Sequence, residues 1–141
     1  MIPAMSIRFM PLIASLVGLA SVSLQRPGDV PWPPTVERLT SPAVSGSAQP
    51  QLSVSDRGVM LSWVEKLADR AILKYAERTP AGWSAARIVA SGSDWFVNWA
   101  DVPSVMRLAD GTLAAHWLQK SGPGTYAYDV RLSYSRDEGK T

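Results

Sequence analysis

Turn-forming segments recur every eight to twelve residues from Gln51 onward, and this spacing is the strongest constraint on the fold. Each turn is rich in Gly, Asp, Ser or Pro and separates short runs in which apolar and polar residues alternate. A helix is the alternative over 64–76, where Glu65 and Asp69 could pair with basic residues at helical spacing. The flanking turns favour strands there, so the chain is predicted to be all-β. The predicted strands are 51–54, 59–65, 70–78, 83–90, 104–108, 112–119 and 125–134.

The predicted strands fall into two units, at about 51–90 and 102–141, each of a size typical of a β-propeller blade. Gly58 and Trp63 occupy places in the first unit that are similar to those of Gly111 and Trp117 in the second. Two blades leave an open sheet edge and an uncovered face. We therefore expect 51–141 to be part of a larger propeller, or else to assemble from several copies.

Composition and charge exclude several classes of function. The chain has no Cys, so it can form neither disulfides nor thiolate metal sites. A formal net charge of +2 gives no basic footprint for nucleic acid. The single His, His116, is expected to be structural, because one imidazole does not make a metal site. No sequence motif for a cofactor is present, so we predict neither a cofactor nor a metal. The 46% hydrophobic residues, with six Trp, are enough for a core.

The N-terminal segment has the pattern of a secretory signal peptide. Arg8 is followed by an uncharged run over 9–24 that contains several small residues near its end. A retained membrane anchor is the alternative, but the run is shorter than the roughly 20 residues that span a bilayer. Residues 25–50 are rich in Pro and Ser and predict a linker. We therefore predict a signal peptide at 1–24, a secreted or periplasmic location, and no stable membrane span in the mature chain.

The last seven residues carry the most specific motif of the chain, S-x-D-x-G-x-T, formed by Ser135, Asp137, Gly139 and Thr141. In such a loop the Asp accepts backbone hydrogen bonds and the Gly supplies a positive φ. The motif resembles the Asp-box, or BNR repeat, of the sialidase (neuraminidase) superfamily of six-bladed β-propellers; an ordinary polar hairpin turn is the alternative. Upstream, Asp101-Val102-Pro103 and the segment DGTLAAH at 110–116 are similar to the segments that precede the box in that family. The resemblance implies an N-terminal propeller fragment that is cut within its Asp-box, so the remaining blades are missing.

The resemblance further implies a glycan ligand and an exo-α-sialidase-type glycoside hydrolase, but the family's catalytic pattern is not satisfied. Sialidases hold the substrate carboxylate with an arginine cluster, since guanidinium groups bind carboxylates in a forked geometry. Where the family has the first Arg of this cluster, this chain has Asp101, and the second Arg of the family falls near Lys120. The family's acid/base Asp is expected near Gly124 and Thr125, and its Tyr nucleophile beyond Thr141. The resemblance therefore implies a non-standard or incomplete site.

The connection Ser91–Asp101 is the candidate functional segment, because it would lead into the innermost strand of the second unit, where propellers usually place their sites. Trp rings offer flat apolar faces for sugars, and carboxylate or amide groups offer hydrogen bonds. Packing of the aromatic residues between blades is the alternative. Three functions stay open: a glycan hydrolase, a non-catalytic carbohydrate-binding propeller, and a protein-interaction propeller. The candidate catalytic residue is Asp101, and the candidate substrate-binding residues are Asp94, Trp95, Asn98, Trp99 and Lys120.

Overall fold

The computed structural model describes residues 35–140, and every regular element in that range is a β-strand. The all-β prediction is thereby confirmed, and the helical alternative over 64–76 is wrong. None of the described residues forms an apolar helix of bilayer-spanning length. The predicted signal peptide, residues 25–34 of the predicted linker and Thr141 lie outside the described residues, while residues 48–50 of that linker belong to a strand. The strands are β1 (Ala48–Ser55), β2 (Gly58–Leu67), β3 (Arg70–Thr79), β4 (Gly82–Trp83), β5 (Arg87–Gly92), β6 (Ser104–Arg107), β7 (Leu113–Lys120) and β8 (Tyr128–Ser135).

The first sheet is an antiparallel meander in the order β1-β2-β3, and both β4 and β5 pair with the far side of β3. The single strand predicted at 83–90 is therefore divided into two. Between β4 and β5, Ser84 donates its backbone N–H to the carbonyl of Glu77 and accepts the N–H of Glu77 on its hydroxyl. Gly58 is required in the turn between β1 and β2, because its φ is 124° and a Cβ there would lie 2.4 Å from the carbonyl oxygen of Arg78.

The second sheet has the order β6-β7-β8, and β7 and β8 pair without a bulge along their whole length. The segment before β6 lengthens this sheet. Trp95 bridges to Gln119 of β7, and the N–H of Phe96 donates to the carbonyl of Leu118 at 3.0 Å. The connection between the two sheets is thereby held against β7 by backbone hydrogen bonds.

The two sheets pack face to face, and the core lies between them. On the first sheet the inner face is formed by alternate residues of β2 and β3, among them Val64 and Leu73. On the second sheet Val105 of β6 projects inward, and its backbone is held by two serines. Its N–H donates to the hydroxyl of Ser62 at 3.2 Å, and its carbonyl accepts the hydroxyl of Ser53 at 3.1 Å. The core cluster consists of Met60, Val64, Ala71, Leu73, Tyr75, Trp95, Val105, Leu113 and Ala115.

The apolar residues of β8 do not belong to this core. The alternation along the strand predicted at 125–134 gives Ala127, Val130, Leu132 and Tyr134 as candidate buried positions. Ala127 is half-buried, and the other three are exposed. The register explains the difference, since Leu132 pairs with His116 and Tyr134 with Ala114, on the face of the sheet that points away from the first sheet. We call this surface the outer face of the second sheet.

Candidate functional site

Trp95 anchors the segment Ser91–Asp101 in the core. Its ring is buried and stacks on Trp117 of β7, with ring centroids 5.5 Å apart and an angle of 20° between the planes. The indole lies against Gly92, where a Cβ would come within 2.5 Å of Trp95 Nε1. Both Trp95 and Gly92 therefore fix the path of the connection, as the packing alternative for the aromatic residues supposes.

Asp94 is held at the C-terminal end of β7 by both its backbone and its side chain. Its carbonyl accepts the N–H of Lys120 at 2.7 Å, and its Oδ2 accepts Nε2 of Gln119 at 2.6 Å. Gln119 Oε1 in turn accepts Nε of Arg131 on β8 at 3.0 Å. A carboxylate, an amide and a guanidinium thus form one exposed hydrogen-bonded row across the second sheet.

Asn98 and Asp101 close a turn further along the segment. Oδ1 of Asn98 accepts the backbone N–H groups of Ala100 at 2.6 Å and Asp101 at 2.9 Å, which is the geometry of an Asx turn. Nδ2 of Asn98 donates to Oδ2 of Asp101 at 2.7 Å, and the carbonyl of Asn98 accepts the side chain of Gln49 on β1. The candidate catalytic carboxylate is therefore exposed and hydrogen-bonded to a side-chain amide. Trp99, at the tip of this turn, is 92% exposed.

An open cleft of about 690 Å³ lies beside the segment, between it and the loop that joins β7 to β8. Phe96 forms part of its apolar wall and stacks on Tyr128 with centroids 4.4 Å apart, while Tyr126 meets the same ring edge-on at 6.3 Å. The cleft is lined by Trp95, Phe96, Val97, Lys120, Gly122, Pro123, Gly124 and Thr125. The structure thus brings Trp95 and Lys120 together at one cleft, with Asp94 bonded next to it. Asn98, Trp99 and Asp101 do not line this cleft.

A second, smaller cleft of about 270 Å³ lies on the other side of Trp95 and Val97. Its walls come from the turn between β2 and β3 and include the charged side chains of Lys66, Asp69 and Arg70. Because Trp95 and Val97 line both clefts, the segment Ser93–Val97 is a ridge with a polar recess on each side.

The loop after β8 has the hydrogen bonds that a compact Asp-containing loop needs. Oδ1 of Asp137 accepts the N–H of Lys140 at 3.1 Å and the hydroxyl of Ser135 at 2.7 Å, and Ser135 Oγ also accepts the N–H of Gly139 at 2.8 Å. Both Glu138 and Gly139 have positive φ, at 64° and 75°. A Cβ at Gly139 would lie 2.9 Å from the hydroxyl of Tyr75 in the first sheet, so this loop packs directly on the neighbouring sheet.

Arg107 joins this loop to the first sheet. Its side chain is almost fully buried, and its guanidinium contacts Glu77 of β3 at 2.7 Å and Glu138 of the loop at 2.9 Å. A further N–H donates to the carbonyl of Gly111 at 2.8 Å. On the exposed side Glu138 also pairs with Arg57 at 2.8 Å. A buried guanidinium with two carboxylate partners is a geometry in which Arg is preferred to Lys.

The ionisation of this cluster follows from its contacts. Burial by itself would lower the pKa of Arg107, but its hydrogen bonds to Glu77 and Glu138 outweigh burial and raise that pKa above the usual value. Hydrogen bonds from Arg57 and Arg107 hold the pKa of Glu138 below its usual range. Arg107 and Glu138 therefore both stay charged at neutral pH.

Metal chemistry finds no support in the part of the chain that the structure describes, residues 35–140, where no group of three or more acidic or His side chains is placed to hold an ion. His116, the one His of the sequence, lies on the outer face of the second sheet with its Nδ1 3.0 Å from the hydroxyl of Ser104. This contact joins two neighbouring strands and gives His116 a structural role.

Comparison with protein-family models, with curated proteins and with solved structures returned no significant match to this chain. The site is therefore described by its own geometry. Sequence reasoning did not identify Gln119 as the partner of Asp94, Arg131 as the partner of Gln119, or Arg107 as the link between the sheets. The alternation of β7 places Gln119 on the same face as Trp117, which is a usable sequence signal. The two carboxylate partners of Arg107, in contrast, come from distant parts of the chain.

Proposed function

We propose that this protein is an exported, sialidase-like β-propeller module that binds glycans through the ridge Ser93–Val97 and the clefts beside it. The observation that supports this most directly is the open cleft of about 690 Å³, whose lining includes the aromatic residues Trp95 and Phe96 together with Lys120. Sugar rings combine apolar faces with a rim of hydroxyl groups, so they suit a shallow surface of this mixed character. Trp99, exposed a few residues from the cleft, offers a further ring face.

The sheet architecture is consistent with two successive blades. Each sheet is an antiparallel meander, the two sheets pack face to face, and the loop after β8 has hydrogen bonds in keeping with an Asp-box. Residues 98–103 connect the ridge to β6, the strand of the second sheet that packs against β1. In a propeller this would place the ridge near the central channel, where ligands commonly bind.

Binding without hydrolysis is the function that the geometry favours. Asp101 is hydrogen-bonded to the amide of Asn98 as part of a turn and does not line the cleft proposed to hold the glycan. A catalytic carboxylate has to lie within reach of the reacting atoms of the bound substrate. The carboxylate of Asp94 likewise accepts a side-chain amide, that of Gln119, which suits positioning rather than proton transfer.

The test is a binding measurement with the purified protein against neutral and acidic oligosaccharides, by glycan array and then by calorimetry. We expect Trp99→Ala and Lys120→Ala each to weaken binding by about tenfold, in line with roughly 1–1.5 kcal/mol for one aromatic or charged contact. Val44→Ala, in the loop before β1, is the matched control and should bind like the parent protein. Absence of binding to every glycan class would refute the proposal.

A hydrolysis assay with a fluorogenic sialoside separates the two glycan hypotheses. We expect no turnover by the parent protein. If turnover is found, Asp101→Asn decides whether the exposed carboxylate takes part, since the Asn keeps the shape of the side chain and removes its charge. Turnover that Asp101→Asn abolishes would replace the binding proposal with the hydrolase.

A further inference from the structure

The two sheets are variants of one structural unit, as their strand registers show. In the first sheet Trp63 of β2 lies opposite Lys74 of β3, and in the second Trp117 of β7 lies opposite Arg131 of β8. The neighbouring residue on the same face also corresponds. Glu65 contacts Lys74 at 2.6 Å, and Gln119 contacts Arg131 at 3.0 Å. With Trp63 matched to Trp117, the paired residues of β1, β2 and β3 have counterparts in β6, β7 and β8, whereas β4 and β5 have none.

Under this correspondence, the outer face of the second sheet is equivalent to the inner face of the first. Val130 is the counterpart of Leu73, and Leu132 is the counterpart of Tyr75. Leu73 and Tyr75 are 0% and 3% exposed because the second sheet covers them, whereas Val130 and Leu132 are 60% and 65% exposed. Apolar side chains thus occupy positions whose counterparts lie in the core. Tyr134 extends this exposed row along β8.

The outer face of the first sheet corresponds in the same way to the inner face of the second sheet. Leu52 of β1 is the counterpart of Val105 of β6, since Leu52 pairs with Leu61 and Val105 with Ala115. Val105 is 2% exposed between the sheets, while Leu52 is 61% exposed. Val54, next along the same face, is also exposed. This outer face therefore resembles the face with which the second sheet packs onto the first.

We propose that a second copy of this chain docks head-to-tail, with the outer face of its first sheet (Leu52, Val54) on the outer face of the second sheet (Val130, Leu132, Tyr134). The reason is that the chain presents both halves of an interface that it already forms once internally, between its own two sheets. Large exposed apolar patches on a folded protein mark interaction sites. Because the two patches differ, the contact is heterologous and leads to a ring if its rotation closes, or to an open chain.

The proposal does not depend on glycan binding. Lys120 of the larger cleft lies on the same face of the second sheet as Leu132, but no residue of either patch lines a cleft beside the ridge. A contact of one outer face with itself would be the competing arrangement, and it would give an isologous dimer that grows no further. A different protein as the occupant would leave the purified chain monomeric. These alternatives differ in the number of copies that associate and in which variants disrupt the association.

The experiment is sedimentation velocity on the purified full chain, from low micromolar to several hundred micromolar. The variants are Leu132→Arg on one patch and Leu52→Arg on the other, with Val44→Arg as the control that makes the same change at an exposed site outside the strands. We expect the parent chain and Val44→Arg to associate with rising concentration, and each patch variant alone to associate at least tenfold more weakly. Mixed in equal amounts, the two patch variants should form a dimer and nothing larger, because each retains the patch that the other lacks.

Three results would overturn the proposal. A parent chain that is monomeric throughout the range would exclude a second copy as the occupant. Dimers of Leu52→Arg alone would show that the outer face of the second sheet packs on itself. Association that neither patch variant weakens would place the contact elsewhere in the chain. Dimer formation in the mixture also shows that both variants are folded, because a misfolded partner could not supply its intact patch.

Discussion

Replacing Arg107 by Met is the most direct test of how the two sheets are joined. The substitution keeps an apolar stem of similar length and removes the guanidinium, which contacts Glu77 of the first sheet, Glu138 of the loop after β8 and the carbonyl of Gly111. The two carboxylates then lose their partner inside the interface. Because this group connects three separate parts of the fold, we expect its removal to destabilise the whole two-sheet unit.

The magnitude follows from the exposure of the three charged groups. Removing one partner of a buried ion pair costs about 3–5 kcal/mol, because the other charge is left without compensation. Here the side chains of Glu77 and Glu138 are 21% and 42% exposed, so water can solvate part of each carboxylate once the guanidinium is removed. We therefore expect a loss of about 2–4 kcal/mol, which for a domain of this size lowers Tm by roughly 10 to 25 °C.

The assay is urea unfolding followed by circular dichroism, with Glu77→Gln and the double variant completing a double-mutant cycle. We expect a coupling energy of about 1–3 kcal/mol between Arg107 and Glu77. Glu138→Gln should cost less than Glu77→Gln, because Glu138 is the more exposed carboxylate. A loss below about 1 kcal/mol for Arg107→Met, or a coupling energy near zero, would show that the guanidinium does not hold the sheets together.

Three further predictions concern the loop after β8 and the connection between the sheets. Gly139→Ala should lower the free energy of unfolding by about 2–3 kcal/mol, because φ is positive there and the new Cβ would meet the Tyr75 hydroxyl. Gly46→Ala, at a positive φ but with open space around it, should lower it by only about 1 kcal/mol. Equal losses of stability in thermal unfolding would contradict this reasoning. The depressed pKa of Glu138 stabilises the fold above its unfolded pKa of about 4.3, and this stability is lost as the pH falls through the folded pKa. Glu138→Gln should therefore flatten the acid side of the stability–pH curve, and an unchanged curve would rule out this contribution. Gly92→Ala should displace Trp95 from Trp117 and reduce the near-ultraviolet circular dichroism of that pair, so an unaltered spectrum would count against the close packing at Gly92.

The candidate site was only partly predictable from the sequence. The segment Ser91–Asp101 stands out because its Trp, Asp and Asn residues lie between two predicted strand units, which is local information. The burial of Trp95 and the bonding of Asp94 to Gln119 depend on the pairing of this segment with β7, more than twenty residues away. In the folded chain, the candidate ligand-binding residues therefore differ in their surroundings. Trp95 is buried, the carboxylate of Asp94 is held by Gln119, and the ring of Trp99 is exposed.

By itself, the sequence determined the all-β character, the approximate positions of the strands and most turns between them, because turn residues and alternation act over a few neighbours. The division of the strand predicted at 83–90 into β4 and β5 was not predicted. Only the tertiary structure decided which face of each strand is covered. The alternation along β8 groups Val130, Leu132 and Tyr134 on one side, but burial of that side requires another sheet to dock there, and the first sheet docks on the opposite face. The ion pairs of Arg107 depend on the same docking, since Glu77, Arg107 and Glu138 are far apart in the chain.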